Sequence, residues 1–139
     1  MAYDSGNIFA KILRGEIPSV KVYEDEHALA FMDVMPQADG HTLVIPKENA
    51  ETIFDLSPEG AAHLIQLTQK IARAVKAGMA AEGITLMQFN GAAAGQTVPH
   101  IHFHILPRWE GVALRRHGGG MENADKLKGF ADRIQAALG

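Results

Sequence analysis

Apolar positions repeat with a helical period along one stretch in the middle of the chain. Between residues 61 and 79 they fall on one face of a helix with 3.6 residues per turn: Ala61, Leu64, Ile65, Thr68, Ile71, Ala72, Val75 and Met79. Ser57 suits the N-cap and Pro58 the first turn, whereas Gly83 suits the C-terminal stop. The pattern predicts one long amphipathic helix.

Shorter apolar runs on either side of that helix have the length and β-branched content of strands. They cover residues 20–24, 28–33, 41–47 and 84–90, and a fifth run begins at His100. Asp25 and Glu26 join the first two runs, which predicts a strand pair there. Together the elements predict an α+β fold with a five-stranded antiparallel sheet, covered by helices.

The two ends of the chain also carry helical patterns. Asn7 can cap a short helix whose apolar face is Ile8, Phe9, Ile12 and Leu13, and Gly15 with Pro18 ends it. Near the C-terminus the apolar stripe is Leu127, Phe130, Ala131, Ile134 and Leu138. This stripe must pack either on the same domain or on a partner subunit. Gly118 to Gly120, just before it, predict a flexible hinge.

Three histidines alternate with apolar residues in the fifth run. Successive side chains of an extended strand point to opposite faces, so we expect His100, His102 and His104 to share one face. The intervening Ile101 and Phe103 belong to the buried face. A lone histidine is most often structural, but three alternating imidazoles in an apolar strand indicate a working surface.

The loop before these histidines is rich in small residues. Gly91 and Gly95 leave backbone N–H groups accessible to an anion, and Gln96 and Thr97 follow them. A phosphate group beside three imidazoles is the occupant that this pattern favours. The rival interpretation is a zinc ion bound by the three histidines, with one coordination position open.

Composition narrows the class of protein. A chain of 139 residues with 47% hydrophobic and 21% charged residues is sufficient for one globular domain. The formal charge of −3 argues against nonspecific nucleic-acid binding. The chain has no cysteine, no signal-peptide pattern and no apolar run long enough for a membrane span, so we expect a cytoplasmic protein that does not bind membranes.

The segment HIHFHIL at residues 100–106, preceded by Gly-Gln-Thr, resembles the signature of the histidine triad (HIT) family of nucleotide-binding proteins. The resemblance runs from Asn7 to about Arg108, and it includes AFMDVMPQADGHTLVIPK at residues 30–47. It implies one HIT domain over residues 1–139, in which residues 109–139 form a C-terminal extension with a helix.

The resemblance also implies an activity. The expected reaction is attack on the α-phosphorus of a nucleoside phosphate derivative, with His102 as the nucleophile and a nucleotidyl-histidine as the intermediate. His104 would hold a proton for the phosphate and the leaving group. His100 and a fourth histidine, His41, would orient the reacting groups or balance charge.

A nucleotide pocket follows from the same resemblance. Asp33 would accept hydrogen bonds from both ribose hydroxyls, although a carboxylate at a strand end is most often a loop residue or a cap. Asn90, Gly95, Gln96 and Thr97 would face the phosphate and the leaving group. The expected base and sugar contacts are apolar: Ile8, Phe9, Ile12, Phe31, Met32 and Val34.

Three activities stay open at this point. The first is hydrolysis of nucleoside 5′-phosphoramidates by a HINT-like protein, with a purine nucleotide such as AMP as the product. The Leu106-Pro107-Arg108 ending suggests instead a dinucleoside polyphosphate hydrolase of the fragile-histidine type, and the third is a non-catalytic nucleotide sensor. The resemblance further implies a homodimer.

No cofactor or metal is expected. Some bacterial HIT proteins bind a structural zinc, but here Asn7 and Ala10 occupy the cysteine positions and Asn49 occupies the histidine position.

Overall fold

The computed structural model describes residues 2–116 and 118–139. Three α-helices and five strands form the fold, in the order α1 Ile8–Leu13, β1 Lys21–Glu24, β2 Ala28–Met32, β3 Thr42–Pro46, α2 Pro58–Gly78, β4 Gly83–Met87, β5 Phe103–Arg108 and α3 Ala124–Ala136. A single 3₁₀ turn, Ala92–Ala94, lies between β4 and β5. The expected α+β class is confirmed.

The strands form one antiparallel sheet in the spatial order β1-β2-β3-β5-β4. Strand β5 is therefore inserted between β3 and β4, and β4 lies at an edge. In the register of β3 with β5, Leu43 pairs with His104. This pairing brings His41, which immediately precedes β3, close to the histidine segment.

Both faces of the sheet are covered, which explains why β2 and β3 are buried at every position. One face packs against α2 and α3 through a core that includes Ala30, Val44 and Ile105. The opposite face packs against Phe9 of α1 through a smaller apolar cluster: Leu29, Phe31, Leu43 and Ile45. Side chains alternate along each strand, so His104 lies on the α1 face because Ile105 lies on the other.

Strand β5 begins later than expected. The sequence predicted a strand from His100, but the sheet ladder starts at Phe103. The residues before it lie outside the sheet ladder: residues 98–100 form a bend, and Ile101 donates its N–H to the Ala50 carbonyl at 2.9 Å. The alternation itself is confirmed, because Ile101 packs in the α2 core whereas the rings of His100 and His102 face Phe9 of α1.

The predicted stop of the long helix at Gly83 is wrong, because Gly83 is the first residue of β4. Helix α2 ends at Gly78, and Ala80 adopts a left-handed conformation with φ of 50°. The Ala81 N–H then closes the helix by donating to the Lys76 carbonyl at 2.9 Å. Gly78 is required by packing: a Cβ there would lie 2.7 Å from the Arg133 carbonyl of α3.

The C-terminal stripe packs on the same chain, since Leu127, Ala131 and Ile134 are buried against α2 and the sheet. Between β5 and α3, residues 109–116 and 118–123 form a strap across the loop that follows β2. The Arg115 N–H donates to the Gln37 carbonyl at 2.6 Å, and the Glu122 N–H donates to the Val34 carbonyl at 2.8 Å. Nowhere in the described ranges does a helix have the length and hydropathy needed to span a membrane.

Candidate active site

Four histidines converge on the α1 face of the sheet. His100 and His102 lie in the segment just before β5, His104 lies in β5, and His41 precedes β3. All four side chains are at most 5% exposed. The ring centroids of His102 and His104 are 4.8 Å apart, and those of His41 and His104 are 5.2 Å apart. The structure therefore brings the four predicted imidazoles into one buried cluster.

The proton of His102 is fixed by a backbone carbonyl. Its Nδ1 lies 2.7 Å from the His100 carbonyl oxygen. A carbonyl oxygen can only accept, so His102 Nδ1 is the protonated nitrogen. In a neutral ring the lone pair is then on Nε2. The edge of this ring also packs on Phe9 of α1, with centroids 4.9 Å apart.

The protons of His41 and His104 are fixed in the opposite way. The Gln37 backbone N–H donates to His41 Nδ1 at 3.1 Å, so the proton of a neutral His41 is on Nε2. His41 Nε2 lies 3.0 Å from His104 Nδ1, which must accept this proton. His104 in its neutral form consequently carries its own proton on Nε2. A ring nitrogen with a lone pair and a ring N–H thus lie on adjacent histidines.

Asp33 lies next to the hydrogen bond between His41 and His104. Its Oδ1 accepts the Met35 N–H at 2.8 Å, and its Oδ2 is 3.5 Å from His41 Nε2. The carboxylate is 14% exposed, unlike the rings behind it. Each carboxylate oxygen has two lone pairs, so a carboxylate can accept several hydrogen bonds at once.

Asp33, His41 and His104 are also spaced as metal ligands would be. Their ligand atoms all lie within 4.8 Å of one another, and this is the one such group among residues 2–116 and 118–139. A metal-bound histidine normally donates its second N–H to an acceptor. His41 Nδ1 instead faces the Gln37 N–H, which leaves the proton on Nε2, where a metal would bind. The donor set therefore fits a proton relay better than a metal ion.

His100 has both ring nitrogens bound to protein atoms. Nδ1 contacts the Tyr3 hydroxyl at 2.5 Å, and Nε2 contacts the Pro46 carbonyl at 2.8 Å. Burial lowers the pKa of His100 from its usual value, more than the Pro46 hydrogen bond raises it. The ring is accordingly neutral near pH 7, and it anchors the segment to the end of β3.

A cavity of about 160 Å³ opens beside the cluster. Among the residues predicted to bind nucleotide, its polar lining is Asp33, Thr97, His102 and His104. Its apolar lining includes every predicted base and sugar contact: Ile8, Phe9, Ile12, Phe31, Met32 and Val34. Met32 also belongs to the core on the α2 side of the sheet. Gly118, in the strap, completes one rim.

The other predicted phosphate contacts serve the loop itself. Gln96 accepts the Gly91 N–H at 2.7 Å and donates to the Glu51 and Val98 carbonyls. Asn90 accepts the Ile53 N–H at 2.8 Å and exchanges hydrogen bonds with the Gln88 side chain. Gly91 and Gly95 have φ of 94° and 100°, a backbone conformation that would be strained in a residue with a side chain. These residues hold the loop in shape around Thr97.

Sequence reasoning missed two residues that control the imidazoles. Gln37 orients His41 through its backbone N–H, which no side-chain pattern can reveal. Tyr3 reaches His100 across 97 positions in sequence. A tyrosine four residues before the Asn7 cap was the available signal, because a buried tyrosine hydroxyl usually finds a hydrogen-bond partner.

Comparison with known proteins gives consistent matches. The HIT domain matches residues 14–111. An adenosine 5′-monophosphoramidase of Schizosaccharomyces pombe is 44% identical over 101 residues, which is 73% of each chain. An adenylylsulfatase of Arabidopsis thaliana is 38% identical over 116 residues, which is 79% of this chain and 59% of that protein. A HIT-like protein of Bartonella henselae has a crystal structure that superposes with a TM-score of 0.92, at 53% identity and covering 99% of this chain and 100% of that one.

Proposed function

Since the chain belongs to the HIT family of nucleotide-binding proteins, we propose that it hydrolyses nucleoside 5′-phosphoramidates, with a purine nucleotide such as AMP as product. One observation carries the proposal: His102 holds its proton on Nδ1 against the His100 carbonyl, so its lone pair is on Nε2. The nucleophile needs no deprotonation before it attacks. We place the reaction in the cytoplasm, as the cysteine-free composition indicates.

The first half-reaction transfers the nucleotidyl group to the protein. The Nε2 lone pair of His102 forms a bond to the α-phosphorus, and the bond from phosphorus to the leaving nitrogen breaks. The His41–His104 pair takes up one proton from solvent as the anionic substrate binds. The leaving nitrogen takes the electron pair of the broken bond together with a proton from His104 Nε2, which leaves the pair neutral. An amine departs, and the nucleotidyl group stays on His102.

The second half-reaction restores the imidazoles. Water attacks the phosphorus and gives a proton to His104 Nε2, and the bond to His102 breaks with its electron pair returning to Nε2. The product is the nucleoside monophosphate. When it leaves, the His41–His104 pair releases its extra proton to solvent, which restores the original neutral tautomers. His41 supports both steps because its Nε2–H, held by the Gln37 N–H on the other side of the ring, keeps His104 Nδ1 as an acceptor.

Asp33 and the apolar wall account for nucleotide binding. The partly exposed Asp33 carboxylate lies at the cavity, where it can accept hydrogen bonds from the two ribose hydroxyls. The α1 side chains Ile8, Phe9 and Ile12 offer an apolar surface to a base. In this proposal, Thr97 and the loop held by Gln96 and Asn90 would face the phosphate and the leaving group.

Two relatives support a reaction at the α-phosphorus. A monophosphoramidase and an adenylylsulfatase share the removal of a group from an adenylyl phosphorus, and they differ in that group. The feature that suggested a dinucleoside polyphosphate hydrolase lies elsewhere: Arg108 ends β5, and its guanidinium donates to Thr85 of β4 at 3.2 Å. It is four residues beyond His104, outside the cavity lining.

A direct assay tests the proposal. Purified protein is given an adenosine phosphoramidate, a dinucleoside polyphosphate or an adenylyl sulfate, each with and without a chelator. We expect the phosphoramidate to be turned over fastest, with the same rate in chelator. Faster turnover of the polyphosphate would replace the proposed substrate class, AMP binding without turnover of any substrate would indicate a nucleotide sensor, and loss of activity that added zinc restores would identify a metal enzyme.

We also propose a homodimer of one HIT domain per chain, with residues 109–139 as its extension. Edge strand β4 and helix α2 present a groove lined by Ile65, Ala72, Ile84 and Leu86, and Ile65 and Leu86 are about half exposed. A second copy would cover these apolar side chains. Light scattering at micromolar concentration should give twice the chain mass for the wild type and the single mass for Leu86→Asp, whereas a monomeric wild type would refute the dimer.

A further inference from the structure

A hydrogen-bonded cluster outside the substrate cavity connects the N-terminal segment to the histidines. Tyr3 lies before α1, and its hydroxyl contacts both His100 Nδ1 at 2.5 Å and Asn7 Nδ2 at 2.8 Å. Asn7 is 5% exposed and also caps α1 by accepting the Ala10 N–H at 2.9 Å. The Tyr3 ring meets the His100 ring edge to face, with centroids 5.6 Å apart.

The direction of every bond in the cluster follows from its neighbours. Asn7 faces the Ala10 N–H with Oδ1 and the Asp4 carbonyl with Nδ2, so the amide cannot be reversed. Asn7 Nδ2 therefore donates to the Tyr3 oxygen, and the Tyr3 hydroxyl donates onward to His100 Nδ1. The proton of His100 is on Nε2, because the Pro46 carbonyl there can only accept.

The cluster ends at the residue whose carbonyl holds the nucleophile. His100 is fixed on one side by Tyr3 and on the other by Pro46, and its own carbonyl accepts the His102 Nδ1 proton at 2.7 Å. We infer that Tyr3 is a positioning residue for catalysis: its hydroxyl fixes His100, and the carbonyl of His100 in turn holds His102 in the tautomer and orientation that attack requires.

The contacts also determine which step Tyr3 affects. Tyr3 does not line the substrate cavity, and its hydroxyl acts on His100 and Asn7 alone among the hydrogen bonds described for it. Its loss should therefore alter the orientation of the nucleophile but not the nucleotide contacts. This inference rests on the proposed function for its kinetic consequence, whereas its structural consequence can be measured without substrate.

The chain offers a matched control, because its two tyrosines are Tyr3 and Tyr23. Tyr23 is in β1, where its hydroxyl donates to Asp25 at 3.3 Å. Tyr3→Phe and Tyr23→Phe each remove one hydroxyl and keep the ring. Tyr3→Phe should lower kcat about tenfold, the effect of leaving one buried acceptor without its donor, with KM unchanged. Tyr23→Phe should leave both constants unchanged.

Imidazole ¹⁵N spectra of the ligand-free proteins provide the structural readout. Tyr3→Phe should shift the His100 Nδ1 resonance, which loses its donor, and should speed solvent exchange of the His102 Nδ1 proton. The affinity for AMP, measured by calorimetry, should stay within about twofold because the cavity lining is intact. Tyr23→Phe should give the wild-type spectrum.

Several results would overturn the inference. A wild-type kcat in Tyr3→Phe, an equal loss in Tyr23→Phe, or a change confined to KM would each remove Tyr3 from the positioning of His102. If the wild type turns over none of the substrates, the proposed function fails on its own. The spectra then decide the inference separately: an unchanged His100 and His102 signal in Tyr3→Phe would refute it, and the expected changes would support it.

Discussion

The pair His100 and His102 and the pair His41 and His104 differ in the backbone groups that fix their protons. In the first pair, both protons point at carbonyl oxygens, of Pro46 and of His100 itself. In the second pair, the backbone supplies a donor, the Gln37 N–H, and the proton of His41 points at the neighbouring ring. Equal side chains therefore present a lone pair in one case and a proton in the other.

The two pairs also differ in the chain segments that fix their position. The first is supported by the N-terminal segment through Tyr3 and by the end of β3. The second depends on the loop after β2, which the strap from β5 to α3 fixes by hydrogen bonds from Arg115 and Glu122. The proposed nucleophile and the proposed proton donor are thus positioned by separate parts of the chain, which makes them separable by mutation.

The largest effect should come from removing the lone pair. His102→Asn should abolish turnover and leave AMP affinity near normal, because Asn fills similar space but has no imidazole nitrogen to attack phosphorus. His104→Asn should lower kcat by ~10²–10⁴, the contribution of a general acid. Steady-state kinetics and calorimetry measure both. Measurable turnover by His102→Asn at a rate above that of His104→Asn would reverse the assigned roles.

Asp33 lies beside His41 of the second pair, and its substitution tests whether this side of the site also binds the nucleotide. Asp33→Asn should weaken AMP binding about tenfold, as expected for lost hydrogen bonds to a charged group, and should weaken dAMP binding less, because only AMP has both hydroxyls. The amide keeps an oxygen for the Met35 N–H, so the loop is preserved. Equal losses for the two sugars would assign Asp33 to the loop alone.

Acidic pH should lower the stability of the folded protein through His100, a member of the first pair. Because burial lowers its pKa in the folded protein, the folded state binds fewer protons than the unfolded state below the usual value of about 6.5. The contribution of neutral His100 to the free energy of unfolding is fully present above its usual pKa. It is lost as the pH falls toward the lowered pKa of the folded state. Thermal unfolding between neutral pH and pH 5 should show a shallower decline in His100→Asn than in the wild type. Parallel declines would contradict a buried neutral His100.

The smallest effect concerns the strap. The Arg115 guanidinium binds Asp39 at 2.7 Å, but both side chains are more than 40% exposed, so the pair contributes little. Arg115→Ala should raise KM about threefold and speed hydrogen exchange of the Gln37 amide. The adjacent Arg116→Ala is the control and should change neither. An effect of Arg116→Ala as large as that of Arg115→Ala would show that charge near the cavity matters more than the strap.

Local sequence patterns were sufficient for much of the fold. The Asn7 and Ser57 caps, the Pro58 first turn and the alternation around the histidines depend on near neighbours, and the structure has them. The end of α2 was missed because Ala80, not a glycine, takes the left-handed position, while Gly78 serves the approach of α3. The insertion of β5 between β3 and β4 is a long-range pairing with no local signal.

In the site, too, local sequence patterns were predictable and long-range contacts were not. Spacing and resemblance identified the four histidines and most of the cavity wall, because these residues form recognisable motifs. The direction of each proton could not be predicted, since it depends on the Gln37 N–H and on two carbonyls whose positions the fold sets. Gln96 and Asn90 are polar as a phosphate loop requires, yet their side chains bind the loop's own backbone and Gln88.

The most direct test of the account is the tautomer of each imidazole in the ligand-free protein. Long-range ¹H–¹⁵N correlation spectra at about pH 7.5, above the usual pKa of histidine, distinguish a protonated Nδ1 from a protonated Nε2. We predict that His102 is protonated on Nδ1 and that His41, His100 and His104 are protonated on Nε2. A His102 ring protonated on Nε2, or a His104 ring protonated on Nδ1, would contradict the assignment of nucleophile and proton donor.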